Sequence, residues 1–231
     1  MSDDSARDDF IRGLTHDFMN PLSSILGFMG LLLAPDAKDP LSPGQRRMLA
    51  AVNRAAAHLL GTMRDLSDLS RIEEGLWPPE PVPVDLEAAA GNVLEDIRAF
   101  THERGTVLEV ESAPGTPPVR ADEQMMKRFL DALFRAAERL TPEKGRITLR
   151  LSPDGDGVAG VLENPGENRS PAALKAALSA GLHEPRPAEG YAAFGPALAR
   201  RIALAHGGSL TAEPRPGGGT IFRFRFPGAT T

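Results

Sequence analysis

The segment WPPEPVPV, Trp77 to Val84, most constrains the fold, because four prolines within eight residues forbid a helix through it. The two sides of this break have different periodicities. Before it, apolar residues recur only at helical spacing. Phe10, Leu14, Phe18, Leu22, Ile25 and Met29 form one stripe, which predicts a helix over about 5–34. After the polar run PDAKDPLSPG, Ser42 can cap a second helix with Pro43 in its first turn. Its stripe runs through Leu49, Val52, Ala56, Leu59, Met63, Leu66 and Leu69 and stops at Gly75. Two amphipathic helices on a short loop make an antiparallel hairpin with an uncovered apolar stripe. A second copy would complete a four-helix bundle, so a homodimer is expected.

Beyond the proline segment the pattern mixes periods. Helices are predicted at about 85–104, 122–140 and 195–205, with strands at about 107–111, 146–151, 157–162, 209–213 and 220–226. Helices on one face of a mixed sheet make an α+β sandwich. The expected organisation is therefore a hairpin over 1–76, a linker over 77–84 and a sandwich over 85–231.

Composition narrows the function classes. Cysteine is absent, which removes disulfide frameworks, thiolate zinc sites and a cysteine nucleophile. A net charge of −5 without a Lys/Arg run gives no support for a nucleic-acid surface. The N-terminus MSDDSARDD is acidic where a signal peptide is basic. The apolar stretch 18–34 is interrupted by Asn20, Pro21, Ser23 and Ser24 and is too short to span a bilayer. A soluble, cytoplasmic protein with no membrane partner is expected.

The chemistry is concentrated in FIRGLTHDFMNPLSSILGF. His16 is the candidate nucleophile, since imidazole is neutral and nucleophilic near pH 7. Asp17 can fix its tautomer and take a proton. Asn20 lies one turn on and can orient a water. Pro21 removes a backbone donor just after the site. His16, Asp17, Asn20, Pro21 and Leu22 together resemble the phosphoacceptor box of histidine kinases, H-[ED]-x-x-[TN]-P-L, with Met19 departing from a frequent basic residue. DLSDLSRIEEG, PVDL, ADEQMMKRFLDALFRAAERLTP, AHGG and GGGTIFRFRFP follow in the order of that family's dimerisation and ATP-binding domains.

The resemblance implies catalytic roles for His16, Asp17 and Asn20, and an ATPase-type C-terminal fold. It also exposes departures. Ala132 and Ala136 stand where the family has asparagines, the second of them a magnesium ligand. Glu163-Asn164-Pro165-Gly166-Glu167 aligns with the adenine box D-x-G-x-G, which puts Glu163 at the aspartate. Gly195 alone survives of the phosphate-loop glycines in YAAFGP. A methyl group cannot ligate a hard cation, and phosphate cradles need close backbone approach.

The expected function is thus histidine phosphotransfer, with accompanying phosphatase activity, between His16 and receiver-domain aspartates of response regulators. No cofactor or metal is expected. Met1 and the lack of a sensor segment fit an intermediate relay component. The alternatives are an ATP-dependent sensor histidine kinase using magnesium and a divergent pocket, or a non-catalytic pseudokinase that binds a regulator. His58, His102 and His183 have no comparable setting, and His206 in AHGG is read as a structural position at a helix end.

Overall fold

The computed structural model describes residues 2–34, 41–102, 104–181 and 194–229, with the side chains of 2–17 and 98–102 left aside. The chain divides into two compact units, 1–70 and 71–231.

The first unit is built on α1 (Ser2–Leu33) and most of α2 (Pro43–Glu73). A capping box starts α2 as anticipated. The Gln45 amide donates to Ser42 Oγ at 3.3 Å, and the Ser42 amide donates to Gln45 Oε1 at 2.9 Å. The helices pack through Leu22, Ala56 and Leu60, flanked by Met19 and Leu26. Arg46 donates to the Leu33 carbonyl at 2.8 Å, satisfying one acceptor at the end of α1. Much of the anticipated stripe is not covered within the hairpin. Phe18, Ile25, Val52 and Leu59 are exposed, as are Phe28 and Leu31.

The last turn of α2 belongs to the second unit. It ends in a left-handed glycine, Gly75 (φ 69°), with the Leu76 amide donating back to the Arg71 carbonyl at 2.8 Å. The following prolines are structured, which revises the reading of 77–84 as a linker. Trp77 packs on the core of the unit, and Arg71 lies 4.9 Å over its ring. The Glu80 amide donates to Asp122 Oδ2 at 3.1 Å. Val82–Val84 is strand β1, paired antiparallel with β3 (Val119–Ala121). A two-stranded ribbon has only edges, so Pro83 costs it little.

The other elements are α3 (Leu86–His102), β2 (Val107–Ser112), α4 (Glu123–Leu140), β4 (Arg146–Asp154), β5 (Gly157–Asn164), α5 (Pro171–Ser179), α6 (Gly195–Ala205), β6 (Ser209–Pro214) and β7 (Thr220–Phe226). The main sheet runs β2-β4-β5-β7-β6, with β2 parallel to β4 and the other pairs antiparallel. Helix α5 was not anticipated, although Ser170 caps it through the Ala173 amide at 3.1 Å and Pro171 opens it.

Alternation sets the two faces of the sheet. Ile147, Leu149, Leu151, Val158, Leu162, Phe222, Phe224 and Phe226 join one core with α3, α4 and α6. Phe129 of α4 sits edge-on to Phe224 and Phe226, with both ring centroids 5.0 Å away. Gly160 makes room for the Phe224 ring across the strands, since a Cβ there would overlap it. The opposite face carries charge pairs, including Arg223 with Glu213 at 2.8 Å and Arg225 with Asp154 at 2.6 Å.

Phe129→Ala should therefore destabilise the second unit by about 3–5 kcal/mol. Denaturant unfolding followed by far-UV circular dichroism measures this, and a loss below about 1 kcal/mol would show that the wedge is not a packing centre.

Candidate functional site

Two places in the chain bear on phosphoryl chemistry. The first is α1 around His16. Its backbone is helical from Ser2 to Leu33, so His16, Asp17 and Asn20 occupy the spacing on which the sequence reading depends. The His16 and Asp17 side chains lie outside the described residues. Asn20 is exposed, as an amide that meets a partner must be. Pro21 stands inside the helix and leaves the Asp17 carbonyl without its ordinary i+4 donor. Just beyond, Ser23 Oγ donates to the Met19 carbonyl at 2.8 Å and Ser24 Oγ to the Asn20 carbonyl at 3.2 Å. These bonds stabilise carbonyls next to the proline defect.

The second place is the end of the sheet beside α4. Ala132 and Ala136 both point into the hydrophobic core, 1% and 4% exposed, where each presents only a methyl group. Among the described residues, no group of three or more His, Cys, Asp or Glu is arranged to hold a metal ion. The residues present at these positions do not fit magnesium.

The structure corrects the assignment of Glu163. Leu149 pairs with Leu162, and Thr148 pairs with Glu163, so Glu163 shares the outward face with Thr148 while Leu162 faces the core. Glu163 is engaged by Arg150 at 3.3 Å, and Arg150 also bonds Glu111 at 2.9 Å. The Glu111 hydrogen bond and, less strongly, Glu163 raise the Arg150 guanidinium above its already high ordinary value, against a smaller opposing effect of burial. The side chain that follows Leu162 on the core face is Asn164, fully buried.

The D-x-G-x-G box therefore moves by one residue, to Asn164-Pro165-Gly166-Glu167-Asn168. This register retains a glycine that the sequence alignment counted as lost. Gly166 has φ 152°, and a Cβ there would overlap the Leu140 carbonyl at the end of α4. Asparagine replaces the aspartate, and Asn168 replaces the second glycine.

Asn164 pairs across the sheet with Thr220, and both side chains are fully buried. Asn164 Nδ2 donates to the Pro165 carbonyl at 2.9 Å. Asn164 Oδ1 and Thr220 Oγ1 have no hydrogen-bond partner among the described residues. Sequence reasoning missed both. The signal that would have found them is period-two alternation carried to the last residue of β5.

Gly195, the retained phosphate-loop glycine, is buried at the first turn of α6, where Phe194 precedes it without a side-chain cap. Tyr191, Ala192 and Ala193 lie outside the described residues, as does His183. His206 is structural, as read from the sequence. Its Nδ1 donates to the Ile202 carbonyl at 2.8 Å, and its Nε2 accepts from the Asp122 amide at 3.0 Å. Asp122 in turn caps α4 through the Met125 amide at 2.9 Å. His206→Ala should thus cost about 1–3 kcal/mol by leaving the Asp122 amide unpaired, whereas Glu163→Ala on the outward face should change stability by less than about 0.5 kcal/mol. Paired urea titrations distinguish the two, and equal losses would refute the assignment of faces.

Comparison with known proteins agrees with this architecture. Residues 6–75 match the His Kinase A (phospho-acceptor) domain, and residues 121–230 match the histidine kinase-, DNA gyrase B- and HSP90-like ATPase. The chain is 28% identical over 230 residues to histidine protein kinase DivJ of Caulobacter vibrioides, covering 96% of this chain and 38% of that protein. It is 23% identical over 233 residues to the phosphate regulon sensor protein PhoR of Pseudomonas aeruginosa, covering 95% and 50%. The chain thus spans half or less of the length of these relatives. Among solved structures, full-length ShkA in complex with AMPPNP superposes with a TM-score of 0.67 at 26% identity, covering 96% of this chain and 46% of that one. The Acinetobacter baumannii histidine kinase AdeS has a TM-score of 0.60 at 18% identity, covering 90% and 96%. No helix among the described residues is long and apolar enough to cross a membrane.

Proposed function

Because this chain is a histidine kinase-like protein of two-component signalling, with the phospho-acceptor and ATPase domains in the family's order, we propose that His16 exchanges a phosphoryl group with receiver-domain aspartates and is not charged from the chain's own ATP. The observation that carries this reading is the pair of core-facing methyl groups, Ala132 and Ala136, at the positions of the family's asparagines.

In the forward step a ring nitrogen of His16 attacks the phosphorus of an aspartyl phosphate. The acyl phosphate P–O bond breaks, the receiver keeps the carboxylate electron pair, and a P–N bond forms. Asp17 holds the tautomer and accepts the proton that the imidazole gives up. The reverse step charges a second receiver. In the competing hydrolysis, the Asn20 amide orients a water toward the same phosphorus. The receiver brings the acidic residues and cation that stabilise the charge on the phosphoryl group in flight.

A homodimer suits the exposed apolar residues of the hairpin. Phe28, Leu31 and Met48 are 68%, 72% and 71% exposed in the single chain, and a second hairpin of the same sequence would cover such positions.

The relatives favour a second reading, an ATP-dependent sensor kinase. DivJ and PhoR are named a histidine kinase and a sensor protein, ShkA was solved with AMPPNP, and the shifted adenine box keeps Gly166. Magnesium would then need ligands from outside the two alanine positions.

A receiver domain phosphorylated by acetyl phosphate and then freed of it tests the exchange. Wild-type protein should move the label to a second receiver. His16→Ala should abolish transfer, and Asn20→Ala should slow receiver dephosphorylation by about tenfold or more while changing transfer by less than about threefold. Transfer that survives His16→Ala would refute the proposal. The double variant Phe28→Glu, Leu31→Glu should dissociate the dimer in sedimentation velocity, and an unchanged sedimentation coefficient would remove that face from the interface.

A further inference from the structure

We propose that Asn164 and Thr220 form the base-recognising floor of an adenine-nucleotide site that works without a metal ion. The proposal rests on the reading of the second unit as an ATPase-like module that has lost its metal ligand. It concerns a bound effector, not a phosphoryl donor.

Two polar atoms sit unpaired at one point of the sheet. Asn164 Oδ1 and Thr220 Oγ1 belong to a cross-strand pair on the core face. Directly paired side chains have Cβ atoms about 4.5–5.5 Å apart, so both atoms can address one planar ligand edge. A buried polar atom without a partner costs about 1–3 kcal/mol, and an isosteric apolar residue would remove that cost. Every other core-face pair between these two strands is apolar or contains glycine: Leu162 with Phe222, Gly160 with Phe224, and Val158 with Phe226. The polar pair is the exception in that row, and it lies in the register of the adenine box.

The bonding at Asn164 fixes what can be recognised. Nδ2 is committed to the Pro165 carbonyl, so Oδ1 is left as an acceptor. An acceptor selects an exocyclic amino group, which adenine carries at position 6. Guanine and hypoxanthine present an oxygen there, and two acceptors repel. The Thr220 hydroxyl both donates and accepts, which suits the neighbouring ring nitrogen of the base.

Backbone geometry on either side permits close approach. Gly166 and Gly218 have φ of 152° and 105°, and a Cβ on Gly218 would meet the Gly166 carbonyl. Ala132 and Ala136 offer the phosphates no metal bridge. Recognition would therefore rest on the base, and affinity should not depend on magnesium.

Isothermal titration with AMP, in EDTA and then in excess magnesium, tests this on the full chain. AMP should bind in EDTA, with a dissociation constant that magnesium changes by less than about threefold, and GMP should bind at least about tenfold more weakly. Thr220→Val and Asn164→Leu should each weaken AMP by about tenfold or more while leaving the unliganded melting temperature unchanged or raised. No AMP binding, binding only with magnesium, or AMP binding unaltered in both variants would overturn the proposal. Labelling of His16 by ATP would instead overturn the receiver-exchange reading and leave these titrations to stand or fall alone.

Discussion

The face that α4 lays on the sheet is the constraint on which the second unit depends. Met125, Met126, Phe129, Leu130, Leu133 and Ala137 are all buried there, with Phe129 wedged edge-on between two aromatic rings of β7. A helix held along one side leaves little freedom for its remaining positions. Ala132 and Ala136 fall on the same buried stripe, and their small volumes suit a close helix–sheet contact. A fold can thus survive the loss of metal ligands, because alanine fills those positions without burying a polar group. Packing and ligand chemistry are separable here, and packing has been kept.

The ends of α4 are tied down by groups of different kinds. At its start Asp122 receives amides from Met125 and Glu80 and gives its own amide to His206. At its end Arg104 donates to the Glu138 and Thr141 carbonyls at 3.0 and 2.6 Å, which satisfies acceptors that the last turn leaves open. These bonds place the polar ends of the helix as firmly as its apolar face places the middle. The proline segment joins the same arrangement through Glu80, which is why a stretch composed like a linker is ordered against a domain.

The long periodic elements were legible in the sequence, and α4, α6 and the β6–β7 hairpin came out within a residue or two. The strength of their apolar pattern explains this, since packing and local preference agree there. Strands β1 and β3 are three residues each and carry too few alternations to register as a period. Helix α5 was hidden by its Ala/Pro composition, although Ser170 and Pro171 mark its start. The adenine box failed for a more instructive reason. Aligning an acidic residue with an acidic residue chose Glu163, whereas strand alternation chooses Asn164. Direction across a sheet is set by register, and residue type alone does not report it. His16 was legible from its motif, and its meaning depended on residues more than a hundred positions away.

The account's central claim is that His16 draws its phosphoryl group from a receiver and not from nucleotide bound to the same chain. Incubating the purified protein with γ-labelled ATP and magnesium, beside His16→Ala, tests this most directly. The account predicts no acid-labile, base-stable label on either protein. Label on the wild type that disappears in His16→Ala would contradict it and establish the chain as an ATP-dependent histidine kinase.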